Sequence, residues 1–85
     1  MHKARLALRV TTVGRDGADV NIDDPSLSRL HFQVEVHPNH LAIKDLASAN
    51  GTLVDNLPVS YAVVLPGQVF AAGHTRFHLE TAGTP

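Results

Sequence analysis

The stretch His31-Phe-Gln-Val-Glu-Val-His-Pro-Asn-His-Leu-Ala-Ile-Lys-Asp45 decides the fold. Its first half alternates apolar and polar side chains, which is the period-two pattern of a strand with one buried face. The alternation resumes after residues 37–40, where Pro38 presets φ for a turn and Asn39 tolerates a left-handed backbone. The sequence therefore predicts a β-hairpin over residues 31–45.

Further short strands are predicted on both sides of this hairpin. Leu6, Leu8 and Val10 alternate with polar or small residues, and Phe77 and Leu79 do the same near the end. Shorter extended segments are predicted at residues 19–22, 52–54, 62–65 and 68–71. Glycine and proline separate these segments at intervals of roughly eight to ten residues, and no segment has a helical apolar pattern. The sequence thus predicts an all-β fold in which two antiparallel sheets pack face to face.

Composition excludes several classes of protein. The chain has 85 residues, enough for a single domain. Seven basic and eight acidic residues give 7 − 8 = −1, so no basic face points to nucleic acid or to a membrane surface. The absence of cysteine excludes disulfides and thiolate zinc sites. No apolar run approaches the roughly 18 residues of a membrane span, and a cytoplasmic or otherwise intracellular location is expected.

Histidine and serine raise the possibility of metal binding or catalysis, and neither is predicted. His37 and His40 flank the hairpin turn, with His74 and His78 as further candidates, but no third ligand has a defined place beside the first pair. The serines lack the glycine-flanked turn and the paired base of a hydrolase. We therefore expect no metal site and no hydrolase activity.

Three loops are rich in polar residues, at positions 13–16, 24–31 and 45–52. Together they offer a guanidinium, hydroxyls and an amide, a set that suits a phosphate ester dianion. Each loop has a simpler explanation when taken alone. Asn50-Gly51, for example, also matches the type I′ turn of a β-hairpin.

In their order and spacing, Gly14-Arg15, Ser28-Arg29-Leu30-His31 and Asn50-Gly51 resemble the hallmark of the forkhead-associated (FHA) domain. The resemblance covers residues 8–80, and residues 81–85 are expected to form a frayed tail. It implies a β-sandwich of about eleven strands that recognises phosphothreonine in extended peptides, without catalysis or a cofactor. The chain begins close to the second strand of that fold, so the first strand is expected to be short or missing.

The resemblance also implies a role for each motif residue. Arg15 and Ser28 would bind the phosphate with support from Arg29. The peptide would be contacted by Asn50, Ser48 and Ser26. The loops would be shaped by Gly14, His31, Gly51 and Thr52.

Three departures from the family pattern keep alternatives open. Ala49 lacks the hydroxyl that several relatives direct at the phosphate, and Ser26 is uncharged where some relatives select the third residue after phosphothreonine. A missing first strand would leave an unpaired edge, so a strand-exchanged dimer is the alternative to the expected monomer. An FHA-like assembly scaffold that binds no phosphate is the alternative function.

Overall fold

The computed structural model describes residues 10–79 and contains nine strands in that part of the chain. In chain order the strands are β1 (Val10–Gly14), β2 (Val20–Asn21), β3 (Phe32–His37), β4 (His40–Asp45), β5 (Thr52–Val54), β6 (Leu57–Val59), β7 (Tyr61–Val64), β8 (Val69–Ala72) and β9 (Thr75–His78). The predicted all-β class is confirmed. Residues 10–79 contain no helix long and apolar enough to cross a membrane.

The strands form two sheets, one in the order β2-β1-β3-β4-β7 and the other in the order β6-β5-β8-β9. All pairs are antiparallel except β1 and β2, which run parallel. The described strands number nine rather than about eleven. The strand predicted around Leu6 and Leu8, the tail at 81–85 and any strand exchange at the start of the chain lie outside the described residues.

The hairpin predicted over residues 31–45 is confirmed as β3 and β4. Its register runs from the pair Phe32 and Asp45 to the pair His37 and His40, which leaves a two-residue turn. Val34 and Ile43 lie opposite each other, and both are buried. The period-two pattern fixed this register because a slip of one residue would expose the apolar face of both strands.

The core lies between the two sheets and is centred on the three phenylalanines of the chain. Phe32, from the five-stranded sheet, meets Phe70 and Phe77 edge-on at centroid distances of 5.6 and 5.3 Å. Phe70 and Phe77 stack on each other at 5.0 Å in the facing sheet. Each edge-on pair adds about 0.5–1.5 kcal/mol to the burial of its rings, so this cluster joins the sheets.

The structure corrects the prediction of which residues of β1 face the core. The sequence pattern placed Val10 on the buried face, but its side chain is 45% exposed. Thr11 and Val13 point inward instead. Alternation from Val13 backwards puts Val10 on the outside, and a buried threonine does not register as apolar in the sequence.

A second correction concerns the hairpin that follows β5. The type I′ turn is formed by Asp55 and Asn56, whose φ values of 51° and 65° are both left-handed. At the Asn50-Gly51 pair only Gly51 has positive φ, at 82°. Strand β6 was missed because Pro58 was interpreted as part of a turn. Proline is tolerated here because β6 is an edge strand.

Strand register places the polar loops at one end of the sandwich. Phe32, at the start of β3, pairs with Val13 near the end of β1 and with Asp45 at the end of β4. In the other sheet, Thr52 at the start of β5 pairs with Ala72 at the end of β8. The connections β1–β2, β2–β3, β4–β5 and β8–β9 therefore share this end.

Candidate functional site

Backbone hydrogen bonds hold the residues after β1 against the long β2–β3 loop. The Arg15 amide donates to the Ser28 carbonyl at 3.0 Å, and the Asp16 amide donates to the Arg29 carbonyl at 3.3 Å. Below them, the His31 amide donates to the Val13 carbonyl at 2.9 Å. These bonds bring Arg15 and Ser28 side by side although thirteen positions separate them in the sequence.

Gly14 makes this close approach possible. A Cβ atom added there would lie 2.0 Å from the Arg29 carbonyl oxygen and 2.7 Å from its carbonyl carbon. Both are backbone atoms, which cannot rotate away as the end of a side chain can. Glycine is required at this position for space rather than for an unusual φ.

The Arg15 side chain is exposed, and its guanidinium is tethered at one atom. Nε donates to the Leu27 carbonyl at 3.2 Å. The two terminal nitrogens have no hydrogen-bond partner among residues 10–79. The tether orients the planar group and leaves its outer edge available for a two-point contact with an oxyanion.

Ser28, whose carbonyl accepts the Arg15 amide, is partly buried. Its Oγ accepts a hydrogen bond from the Ala49 amide at 2.9 Å. A hydroxyl that accepts one bond still has its own proton to donate. Ser28 therefore offers one hydrogen-bond donor in the loop segment whose backbone is bonded to Arg15.

His31 joins the two loops that carry Ser28 and Asn50. Its side chain is completely buried. Nδ1 accepts from the Ser28 amide at 3.0 Å, so the ring proton is on Nε2, which donates to the Gly51 carbonyl at 2.8 Å. One neutral tautomer satisfies both contacts, and neither nitrogen remains free for proton transfer.

Asn50 links the β4–β5 loop to the β2–β3 loop from the exposed side. Its Nδ2 donates to the Ser26 carbonyl at 2.7 Å. The side-chain oxygen has no partner among residues 10–79. It can accept a hydrogen bond from the backbone of a peptide that crosses the two loops.

The Ser48 hydroxyl is used inside its own loop. It donates to Asp45 Oδ1 at 2.6 Å and accepts from the Gly51 amide at 2.9 Å. Thr52, completely buried, donates to the same carboxylate oxygen at 2.8 Å. Ser48 and Thr52 thus shape the loop, and a direct contact of Ser48 with a peptide stays a prediction.

Asp45 is the centre of this network, and the sequence analysis did not single it out. Burial by itself raises the pKa of this carboxyl, but hydrogen bonds from Ser48 and Thr52 outweigh burial and hold the pKa below its usual 3.8. The signal was present as Asp45-x-x-Ser48, a spacing at which a carboxylate can cap the amide three residues on.

Arg29 forms an exposed ion pair with Asp16, in which Arg29 Nη2 lies 3.8 Å from Asp16 Oδ2. Both side chains are about 70% exposed, at 71% and 69%. Pairs this exposed contribute little to stability, because solvent and salt screen them. Arg29 can therefore leave Asp16 for a stronger anion at small cost.

Asp24 anchors the β2–β3 loop to the β8–β9 turn, a role that the sequence analysis did not assign to it. Its Oδ2 accepts from the Thr75 hydroxyl at 2.7 Å and from the His74 amide at 2.9 Å, while Oδ1 accepts from the Ser26 amide at 2.8 Å. The Thr75 bond is the main cause that lowers the pKa of Asp24 from 3.8 to about 2; burial opposes it, and the amide bonds add to it.

This lowered pKa predicts acid sensitivity. The contribution of Asp24 to stability is fully present above about pH 4 and is lost as the pH falls towards 2. Urea unfolding between pH 2 and 5 should show a shallower pH dependence for Asp24→Asn than for the wild type. Asp23→Asn, which changes the exposed neighbouring carboxylate, is the matched control and should keep the wild-type slope. Equal slopes for wild type and Asp24→Asn would contradict the assignment.

The four histidine candidates for metal binding do not meet at one place in the structure. His37 and His40 stack at 4.4 Å with their rings nearly parallel, and His37 contacts Glu35 at 2.6 Å. His74 precedes β9 and His78 ends it, in the other sheet. Residues 10–79 contain no group of three or more potential ligands that could hold a metal ion.

Comparison with known proteins agrees with this geometry. The family model described as the FHA domain matches residues 11–73. The glycogen accumulation regulator GarA of Mycobacterium tuberculosis is 34% identical over 68 residues, which are 79% of this chain and 42% of GarA. The chain thus spans less than half the length of that relative.

Two solved structures are similar over nearly the whole chain. The FHA domain of the CT664 protein from Chlamydia trachomatis has a TM-score of 0.85 at 30% identity. A chain solved in a study of phosphothreonine-dependent FHA domain interactions has a TM-score of 0.84 at 28% identity. Each comparison covers 93% of this chain and 83% of the other. With its motif loops gathered at one end of the same sandwich, this chain belongs to the FHA domain family.

Proposed function

We propose that this domain binds a phosphothreonine in an extended segment of a partner protein, through Arg15 and Ser28. The observation that carries the proposal is the pairing of these two residues at one point of the surface. A tethered guanidinium with a free edge and a hydroxyl that still has a proton to donate belong to two loop segments whose backbones are hydrogen-bonded to each other. These remaining donors have no hydrogen-bond partner among residues 10–79 and suit an anionic ligand.

The chemistry of a phosphate monoester matches these donors. At pH 7 it carries a charge of about −1.5 to −2 and three strong acceptor oxygens. Arg15 supplies two parallel N–H groups and Ser28 supplies an O–H. Arg29 supplies a second positive charge once it leaves Asp16. Ala49 adds no hydroxyl, so Arg29 is the group that completes the binding of the phosphate.

Asn50 and Ser26 would define the path of the peptide. The free oxygen of Asn50 would accept from a peptide amide and so fix the direction of the bound segment. Ser26 would contact a side chain further along, while Ser48 acts through the loop that presents Asn50. The whole site is built from loops on a rigid sandwich, as expected of a recognition module.

The comparisons support a binding role rather than a catalytic one. FHA domains are interaction modules, and one similar chain was studied for phosphothreonine-dependent interactions. We infer that the domain docks, inside the cell, a protein that a Ser/Thr kinase has phosphorylated. No residue of the site is assigned a catalytic role, since His31 has both ring nitrogens committed to the backbone.

The test is a fluorescence anisotropy titration with degenerate peptide libraries that carry phosphothreonine, phosphoserine or threonine at a fixed position. Binding to the phosphothreonine library should be at least tenfold tighter than to the threonine library, because charge-assisted hydrogen bonds contribute about 1.5–3 kcal/mol each. Equal and negligible binding of all three libraries would contradict the proposal. The phosphate-independent scaffold would then be the function to test.

A further inference from the structure

The β8–β9 turn packs directly against the β2–β3 loop, next to the proposed peptide path. A Cβ atom on Gly73 would lie 3.0 Å from Asp24 Oδ2, the Ser26 carbonyl carbon and Ser26 Cβ. Gly73 itself has a left-handed φ of 58°. The turn is therefore fixed on the loop by its backbone as well as by the Asp24 carboxylate.

This packing places the His74 ring beside the site. His74 Nδ1 lies 2.7 Å from Ser26 Oγ, and the Ser26 carbonyl accepts the amide of Asn50 at 2.7 Å. Hydrogen bonds thus link Ser28 to Ala49, the neighbouring Asn50 to Ser26, and Ser26 to His74. These residues form a row. The side chain of His74 is exposed, and its Nε2 has no partner among residues 10–79.

We propose that His74, held by Ser26, is a specificity-determining residue that binds an aspartate or glutamate side chain of the phosphorylated partner. This inference rests on the proposed function and adds a preferred sequence to it. His74 lies beyond Ser26 from the Arg15 and Ser28 pair, so the acidic side chain belongs to a residue further along the extended segment than the phosphothreonine.

The hydrogen-bonding of the ring favours an acceptor such as a carboxylate. With Nδ1 held by Ser26, Nε2 is the ring atom that a ligand can reach. Nε2 carries a proton to donate when Ser26 donates to Nδ1 of a neutral ring, and also when Ser26 accepts from a protonated ring; with the proton of a neutral ring on Nδ1, Nε2 is an acceptor. A ligand carboxylate selects the two states in which Nε2 is a donor.

The neighbouring acidic groups do not compete for this donor. Both Asp24 oxygens already accept hydrogen bonds, from the Ser26 amide, the His74 amide and the Thr75 hydroxyl, and neither contacts the His74 ring. Asp23 is exposed in the same loop and has no described contact with His74. His74 Nε2 is thus the donor at this end of the row.

The experiment compares phosphothreonine peptides that differ by one residue. Glutamate, glutamine or alanine is placed at each of the four positions on either side of the phosphothreonine, and affinity is measured by fluorescence anisotropy. The wild type should prefer glutamate over alanine about tenfold at one position. His74→Ala should abolish that preference, while His74→Gln, which keeps a donor, should restore part of it. His78→Ala, which changes an exposed histidine at the end of β9, is the control and should keep the full preference.

Three outcomes are separable. Loss of the glutamate preference in His74→Ala alone, with phosphate-dependent binding retained, supports the inference. Phosphate-dependent binding with no acidic preference, or with a preference that survives in His74→Ala, overturns it and leaves the proposed function standing. Absence of phosphate-dependent binding in the wild type overturns both.

Discussion

Replacing Arg15 by alanine should abolish measurable phosphopeptide binding while leaving the domain folded. The loss should be about 2–5 kcal/mol of binding free energy, or roughly 30-fold to several thousand-fold in Kd, because a phosphate would lose its charged partner. The fold should tolerate the change, since the side chain is exposed and makes a single hydrogen bond to Leu27. Anisotropy titration measures the binding, and urea unfolding measures the stability.

Two further arginine variants sharpen this result. Arg76→Ala removes an exposed arginine from β9, in the facing sheet, and should leave the affinity unchanged. Arg29→Ala should weaken binding less than Arg15→Ala, because Arg29 has to leave Asp16 and has no tether. A phosphopeptide affinity that is unaffected by Arg15→Ala would refute the assigned phosphate site and favour a scaffold.

Replacing Gly14 by alanine should damage both stability and binding. The added Cβ would meet the Arg29 carbonyl oxygen at 2.0 Å, so the β2–β3 loop must move by more than 1 Å to make room. Overpacking against a rigid backbone costs about 3 kcal/mol, the upper end of the usual range. That cost is a large part of the stability of a small domain. The shift would also separate Ser28 from Arg15.

Gly51→Ala is the matched control, because the same substitution acts there by another mechanism. Gly51 has a φ of 82°, but an added Cβ would meet no atom within 4 Å. The expected cost is only that of left-handed backbone, about 1–2 kcal/mol. Urea unfolding should therefore rank Gly14→Ala below Gly51→Ala in stability. The reverse order would show that the close approach at Gly14 is not the constraint.

Local patterns predicted much of the fold. The β3–β4 hairpin followed from alternation and a turn, since each strand has one buried face and the side-chain period is two. The pattern was wrong at Val10, because the buried Thr11 broke the apolar alternation on which the prediction rested. Strand β6 was missed because proline is compatible both with a turn and with an edge strand.

The site residues were predicted from three short motifs. The hydrogen bonds that connect the loops carrying those motifs were not predicted. The motif includes His31, but only the structure shows that a single tautomer of its ring is hydrogen-bonded to both loops. Asp24 and Asp45 hold the loops in place through hydroxyl and amide donors. A carboxylate in a loop is usually a solvated residue, so the sequence offers no signal for Asp24 and only the spacing Asp45-x-x-Ser48 for Asp45.

The sequence by itself determined the strand class, the central hairpin and the order of the motif residues, because period-two burial and turn chemistry act between near neighbours. Only the tertiary structure decided which residues of distant loops contact each other. Contacts such as His74 with Ser26, 48 positions apart, depend on how β8 and β9 are placed beside the β2–β3 loop. Hydrogen bonds between distant loops are set by the packing of two sheets on one core, and a local pattern carries no information about that packing.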